Sequence, residues 1–304
     1  MKILACDVAK ASLVHFDGVS VAQTDNTPKA IQKLLDAHPE HLVVCEPTSR
    51  YHQPLVDAAD RLGHQVILVN PREARKYKDS ISFRAKTDPL DARYLYEFVL
   101  RNRDLLRVYE PVTPALTKLR ELIGQRQAAV SARTALTQAF GGELTKVQKE
   151  AIDALNNVVR EMDQAMEEIA KQFSSYARFR QIPGVGPLAG CVLVYALESR
   201  AFADSAALVA FLGLDVRIRQ SGKYRGMQKV SKRGDPLLRF ILCFAGRGLL
   251  HSKLGLEKRE QLTAKRRQFP ERMVIAARKI LRVAFHLFKT QQDFDPQKWS
   301  WALT

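Results

Sequence analysis

Along the first 70 residues, apolar positions fall in short runs broken by turn residues, the pattern of buried strands alternating with helices. Lys2–Val8 predicts a buried strand with Asp7 near its end. Leu13–Phe16 and Gly18–Gln23 flank Asp17-Gly18, a hairpin signal, so three antiparallel strands are expected to open the chain. Thr27-Pro28 starts a helix that runs to Ala37 before Pro39. His41–Cys45 predicts a second buried strand, with Glu46 at its carboxyl end before Pro47. Pro54–Leu62 reads as a helix stopped by Gly63, and Gln65–Asn70 as a third buried strand closed by Asn70-Pro71.

Arg72–Lys86 is rich in Arg and Lys and poor in large apolar groups, which predicts a mobile or ligand-ordered loop, or an ordinary solvated connection. Asp88 then stands at a helix start, since Pro89 suits the first helical position, and the helix runs to about Arg101. Residues 115–175 change character. Leu116, Leu119 and Ile123 begin one helical stripe. After a break at Gly141-Gly142, a second follows through Leu144, Val147, Ala151, Leu155, Val158, Met162, Met166, Ile169 and Phe173. Two such helices fold back as a hairpin or wind as a coiled coil with another subunit. Ile182-Pro183-Gly184-Val185-Gly186-Pro187 sets a Pro-Gly-x-Gly turn between helices. Its bare N–H groups can clasp a phosphate, as in helix-hairpin-helix modules, or it is a plain tight turn. Ala206–Leu212 predicts a helix ended by Gly213; Pro236–Leu250 and Arg272–Phe288 predict apolar helices that close a domain. Phe294, Trp299 and Trp301 form an aromatic tail expected to dock on the fold.

Charge changes this picture in one place. Of the net +16, residues 1–110 contribute almost nothing, with 16 Lys and Arg against 15 Asp and Glu. Residues 205–290 hold 20 against 5, a net of +15. Such a field points to a polyanion, with nucleic acid the default partner. A membrane surface fits less well, because the cations are mixed with turn motifs instead of lining one amphipathic helix. Gly222, Gly226 and Gly234 are spaced among Arg217, Arg219, Lys223, Arg225, Lys229, Lys232 and Arg233, which suggests backbone lying close to a ligand. Ser231 stands between Lys229, Lys232 and Arg233, where a phosphate or a deprotonated oxygen would be stabilised. A serine so placed is a phosphate contact, a helix cap or a nucleophile. The chain has no apolar run of about 18 residues for a membrane span, and Asp7 comes too early for a signal peptide. Cys6, Cys45, Cys191 and Cys243 lie in apolar runs without metal-ligand spacing, so buried thiols of a cytoplasmic protein are expected.

The candidate chemistry centres on Lys86-Thr87-Asp88-Pro89-Leu90-Asp91-Ala92-Arg93. Asp88 and Asp91, three residues apart, share one face of a first helical turn, and capping alone would account for such a pair. Asp7 and Glu46, however, each end a hydrophobic run. The order β-β-β-α-β-α-β-α resembles a ribonuclease-H-type mixed sheet, in which acids arrive at neighbouring strand ends. Four carboxylates within a few ångströms repel and raise one another's pKa values, which is tolerable with cations bound; hard oxygen ligands select Mg²⁺ or Mn²⁺. Two such ions roughly 3.5–4 Å apart activate the attacking oxygen and stabilise the leaving oxygen of a phosphodiester. No GxxxxGK[ST], GxSxG or HExxH motif offers a competing chemistry.

Asp7-Val8-Ala9-Lys10, Glu46-Pro47-Thr48-Ser49-Arg50-Tyr51, Val69-Asn70-Pro71, Lys86-Thr87-Asp88-Pro89-Leu90-Asp91-Ala92, Ile182-Pro183-Gly184-Val185-Gly186 and Val230-Ser231-Lys232-Arg233-Gly234 occur in that order. Together they resemble the DEDD transposases of the insertion-sequence-110 type, a group that includes the Piv-type DNA invertases. The resemblance spans roughly residues 1–250. It implies an α/β plus α chain in three parts. A RuvC-like (RNase H-like) mixed-sheet catalytic domain covers 1–110, and a coiled-coil-like helical linker for dimerisation covers 111–177. A mostly helical C-terminal DNA-binding transposase domain, with a helix-hairpin-helix-like turn, covers 178–304. The family's Asp-Glu-Asp-Asp set falls on Asp7, Glu46, Asp88 and Asp91, and its catalytic serine on Ser231. The implied activity is cutting and rejoining of DNA, dependent on Mg²⁺ or Mn²⁺, through a phosphoserine link. Homodimers or homotetramers are implied, with guidance by a bridge RNA in many members. The alternatives are a Piv-type invertase, a RuvC-like structure-specific nuclease in which Ser231 merely binds phosphate, and a non-catalytic nucleic-acid-binding protein. Cys6 before the first acid, and Ser49 where Gly is more usual, depart from the family pattern.

Overall fold

Alternation of side chains builds the first of two compact units, Met1–Pro111. Strands β1 (Ile3–Val8), β2 (Ser12–Phe16) and β3 (Val21–Asp25) pair antiparallel in sequence order. Helix α1 (Pro28–Asp36) follows, capped by the Thr27 hydroxyl, and leads into β4 (Leu42–Cys45). Helix α2 (Gln53–Arg61), β5 (Val66–Leu68), α3 (Pro71–Ser80) and α4 (Asp88–Asn102) complete the unit. The result is a five-stranded mixed sheet of order β3-β2-β1-β4-β5, with β4 parallel to both β1 and β5. One face, Leu4, Cys6, Val8, Val43 and Cys45, packs on Ile31, Leu34 and Leu35 of α1 and Leu55 and Val56 of α2. The other, Ile3, Ala5, Leu42, Val44 and Ile67, packs on Ala74 of α3 and Leu95, Phe98 and Val99 of α4. The strand interiors are hydrophobic on both sides because both faces are covered.

The computed structural model describes residues 2–48, 51–80, 88–217, 220–221, 224–225 and 229–301; of Asp88, Pro89, Leu105, Gln220, Ser221, Tyr224 and Arg225 it describes the backbone alone. Among the described residues, α3 corrects the expectation of a loop after Pro71. Asn70 starts the helix, its side-chain oxygen accepting from Arg72 N at 2.9 Å and its carbonyl from Glu73 N at 2.9 Å. Ala74 is buried, and Tyr77 stacks edge-on against Phe98 with centroids 5.4 Å apart. Two anchors and a capped start hold a helix whose remaining face is charged.

The second unit, Val112–Thr304, is mostly helical. Helices α5 (Pro114–Phe140) and α6 (Lys146–Lys171) form an antiparallel hairpin. Arg126 of α5 donates to both Asp163 oxygens of α6, at 2.5 and 3.1 Å, and Arg133 to Asn156 Oδ1 at 2.9 Å. The hairpin is one of the two arrangements that the spacing left open. Its base joins the main core through Leu116, Leu119, Ile123, Met166 and Ala170. Farther out the expected stripe is rotated: Val159 is buried, while Val158 is 37% and Val147 74% exposed. There, among the described residues, α6 packs on α5 and contributes nothing to that core.

Helices α7 (Ser174–Arg180), α8 (Pro187–Glu198) and α9 (Ser205–Phe211) lead to four two-residue strands: β6 (Val216–Arg217), β7 (Gln220–Ser221), β8 (Tyr224–Arg225) and β9 (Lys229–Val230). Then come α10 (Pro236–His251), α11 (Leu256–Ala264) and α12 (Phe269–Thr290). The linker helices and the C-terminal helices share this one core. The aromatic tail docks as expected: Phe294, Trp299 and Trp301 pack against the core, and Trp301 Nε1 donates to the Leu254 carbonyl at 2.9 Å. Among the described residues no helix is long and apolar enough to cross a membrane.

Candidate functional site

The pleat of the first sheet decides where the early acids go. Ile3, Ala5 and Asp7 share a face of β1; Leu42 and Val44 share that face of β4, and Glu46 is the next step along it. Cys6 pairs with Cys45, so Asp7 and Glu46 leave adjacent parallel strands at the same level. The helix covering that face is α4, and Asp91 lies one turn ahead of Leu95, which is buried against the sheet. Asp7, Glu46 and Asp91 are thereby brought within electrostatic reach of one another. Burial pushes the Glu46 carboxyl above its ordinary value; Lys78 opposes the shift, and the charges of Asp7 and Asp91 add to it. Asp88 opens α4 three residues ahead of Asp91, and its side chain lies outside the described residues.

Sequence reasoning missed Lys78. Its ammonium sits 2.9 Å from Asp91 Oδ1 and 3.9 Å from Glu46 Oε1, and 6.0 Å from the centre of the Tyr94 ring. The available signal was Ala74, Tyr77 and Lys78, an i, i+3, i+4 set that puts Lys78 on the same side of α3 as its two anchors. Among the described residues no three of His, Cys, Asp and Glu gather closely enough to hold a metal ion. The donor set nonetheless fits a hard divalent cation: all its atoms are carboxylate oxygens, and a cation, the Lys78 ammonium, already pairs with Glu46 and Asp91.

In the second unit the serine expectation meets a defined pocket of hydrogen bonds. β6 and β9 pair antiparallel, Val216 with Val230 and Arg217 with Lys229. One residue outward, Ser231 N donates to the Asp215 carbonyl at 2.8 Å, and the Ser231 hydroxyl donates to Asp215 Oδ1. Arg233 N approaches the same hydroxyl oxygen at 3.4 Å. Ser231 is 7% exposed, while Arg217, Lys229, Lys232 and Arg233 are exposed around it. Among the described residues none of those four cations is in a salt bridge. Arg217 directly opposite Lys229 is a like-charge pair, unfavourable unless an anion lies over it. Lys232 sits at φ +55°, a left-handed conformation that costs a non-glycine residue about 1–2 kcal/mol. Its N–H bonds the Gly213 carbonyl at 3.1 Å, and a Cβ on Gly234 would strike the backbone of Phe211 and Leu212, so two chain segments meet here with no room for a side chain. Ser231 is not the cap of α10: Asp235 is, accepting from Leu237 N at 2.8 Å and Leu238 N at 3.2 Å and pairing with Arg120. Arg219 and Lys223 lie outside the described residues, as do Gly222 and Gly226 and the Arg225 side chain. Asp215 was also missed, because nothing in its local sequence announces a partner 16 residues away.

Gly184 and Gly186, expected to act together, have different surroundings. Gly184 has φ +86° and lies against α10, where a Cβ would meet the Leu249 backbone nitrogen and come 2.5 Å from the Ala245 carbonyl oxygen. Gly186 caps α8 at φ −77°, with open space where a Cβ would stand.

Residues 5–148 match a family model of IS110 DEDD type, described as a transposase; residues 176–258 match the model described as the transposase IS116/IS110/IS902 family. The transposase for insertion sequence element IS1111A of Coxiella burnetii is 27% identical over 237 residues, 65% of this chain and 63% of that protein. The pilin gene-inverting protein of Moraxella bovis is 23% identical over 273 residues, 84% of this chain and 82% of that protein, and that of Moraxella lacunata matches to the same extent. The first matched region contains the strand-end acids and α4, the second the Gly184 turn and the Ser231 hairpin; the chain belongs to the IS110-type family of DEDD transposases, enzymes that cleave and recombine DNA.

Proposed function

We propose that the chain cuts and rejoins DNA by transesterification, with a RuvC-like acidic site in the first unit and a serine nucleophile in the second. Asp7, Glu46, Asp88 and Asp91 would hold Mg²⁺ or Mn²⁺, with Lys78 giving up its place between Glu46 and Asp91. A divalent cation held by these acids would supply positive charge to offset that of a phosphodiester and its leaving oxygen. Arg217, Arg219, Lys223, Arg225, Lys229, Lys232 and Arg233 grip the phosphate backbone, and the turn at Gly184 and Gly186 adds backbone N–H groups in the manner of a helix-hairpin-helix. Ser231 attacks the phosphodiester and keeps the bond energy in a phosphoserine link that another strand's hydroxyl can use. A bridge RNA would choose the DNA, and homodimers or homotetramers would bring strands together, with the exposed part of α6 around Val147 available for pairing.

The observation that carries this reading is Ser231, a buried hydroxyl fixed by hydrogen bonds amid exposed cations. Its test uses a supercoiled plasmid carrying the chain's own gene and the DNA flanking it, with RNA transcribed from that plasmid. Wild type should yield a protein–DNA adduct that survives denaturant, and Ser231→Ala should eliminate it. Cutting without an adduct, equal in Ser231→Ala, would establish the nuclease instead. The Moraxella matches favour a second reading, inversion of a resident segment, separable by whether the plasmid segment is recovered flipped or moved.

Salt should weaken the grip steeply. If residues 205–290 neutralise about eight phosphates, log K should fall against log[salt] with a slope near −7 on duplex DNA. A flat response in a salt titration would remove this segment as the main contact.

A further inference from the structure

The hydroxyl of Ser231 has one proton to donate, and it is committed to a carboxylate. Two bonds to Asp215 fix the residue, one from the backbone N–H at 2.8 Å and one from the side chain, so both the position and the direction of Oγ follow from Asp215. Among the described residues, the other hydrogen bond at Oγ comes from the Arg233 backbone N–H, a donor at 3.4 Å. Across residues 205–234 Asp215 is the sole acid, and there is no histidine. Lys229, Lys232 and Arg233 carry donors and stabilise negative charge, but a protonated cation cannot accept the serine proton. The pairing of β6 with β9 and the close approach of Gly213 to Gly234 hold the two residues together from both flanks.

We propose that Asp215 is the proton acceptor for Ser231, and the group that aims its hydroxyl. This rests on the serine reading above. As the Oγ–phosphorus bond forms, the bond from phosphorus to the leaving sugar oxygen breaks. The hydroxyl proton passes to Asp215 Oδ1, and the leaving oxygen takes a proton from water. Rejoining reverses the step: an incoming sugar hydroxyl attacks the phosphoserine, gives up its proton to water, and Asp215 returns its proton to Ser231 Oγ. A carboxylate suits this position for a second reason. Its charge is cancelled by the proton it gains just as the phosphate presses more negative charge on the hairpin, so the cations remain free for the phosphate.

The experiment uses the same plasmid and transcripts and follows the rate of the denaturant-stable adduct alongside plasmid binding. Asp215→Asn keeps an oxygen to accept from the serine hydroxyl but is not a base. It should slow adduct formation by about 100-fold or more with binding no weaker. Asp215→Ala should be as slow, and added formate should restore much of its rate while leaving Ser231→Ala inert, a rescue that a merely structural role would not show. An Asp215→Asn adduct at the wild-type rate overturns the proposal, as does an Asp215→Ala defect that formate leaves untouched while the protein melts like wild type. The serine reading fails separately: no adduct from wild type, or one that persists in Ser231→Ala, removes it and the Asp215 role together.

Discussion

Asp7→Asn should bind DNA as tightly as the parent or slightly more so, and leave its strands uncut. Asp7 emerges beside Glu46 on the face covered by α4, and its charge is felt at Glu46 along with that of Asp91. Asparagine keeps the size of the side chain and one acceptor oxygen, so the sheet should persist. What is lost is a negative charge from the cluster proposed to hold a cation. Losing one carboxylate of the proposed cation site should lower the cleavage rate by roughly 10²–10⁴-fold, which corresponds to about 3–5 kcal/mol of barrier. Binding should not suffer, because a carboxylate near the phosphate repels it. The measurement is cleavage of the plasmid across a Mg²⁺ and a Mn²⁺ titration, with Asp88→Asn run beside it. Full Mg²⁺-dependent cleavage by Asp7→Asn would remove the acid cluster as the cutting site.

Much of that site was legible because strands announce themselves twice, by apolar runs and by the turns that end them. Asp7 and Glu46 could be placed at strand ends from Lys2–Val8 and His41–Cys45 alone, and the observed pairing of Cys6 with Cys45 sets them level. The failures share a physical cause. Helix α3 is held by Asn70, Ala74 and Tyr77, too few apolar residues to make a stripe, so its sequence reads as a connection and Lys78 goes unnoticed. The phase of α6 slipped from Val158 to Val159 because which face is buried depends on α5, a neighbour that periodicity cannot locate. Asp215 was invisible for the same reason in a sharper form. It meets Ser231 across a pair of two-residue strands, and strands that short have no pattern to read. Local composition reported the cations around Ser231, whereas the carboxylate bonded to it depended on tertiary pairing.

Gly184→Ala and Gly186→Ala should behave as opposites although they sit two residues apart. At Gly184 an alanine faces two penalties. A φ of +86° lies in the left-handed region, costing an L-residue about 1–2 kcal/mol, and the new methyl would press on the backbone of α10 at Leu249 and Ala245. Backbone cannot swing aside as a side chain can, and overpacking of this kind typically costs about 1–3 kcal/mol more. The sum, about 2–5 kcal/mol, should lower the melting temperature of the second unit by roughly 5–20 °C. Gly186 has an ordinary φ of −77° and open space at its Cβ position, so Gly186→Ala should change stability by no more than about 0.5 kcal/mol. Its methyl would instead intrude on the proposed phosphate clasp at the first N–H groups of α8, weakening DNA binding in a protein that melts like the parent. Thermal melting and plasmid binding of both variants separate the roles. A Gly184→Ala protein with the parent's melting temperature would show that the turn is not pinned to α10, and a Gly186→Ala protein that binds like the parent would remove the turn as a phosphate clasp.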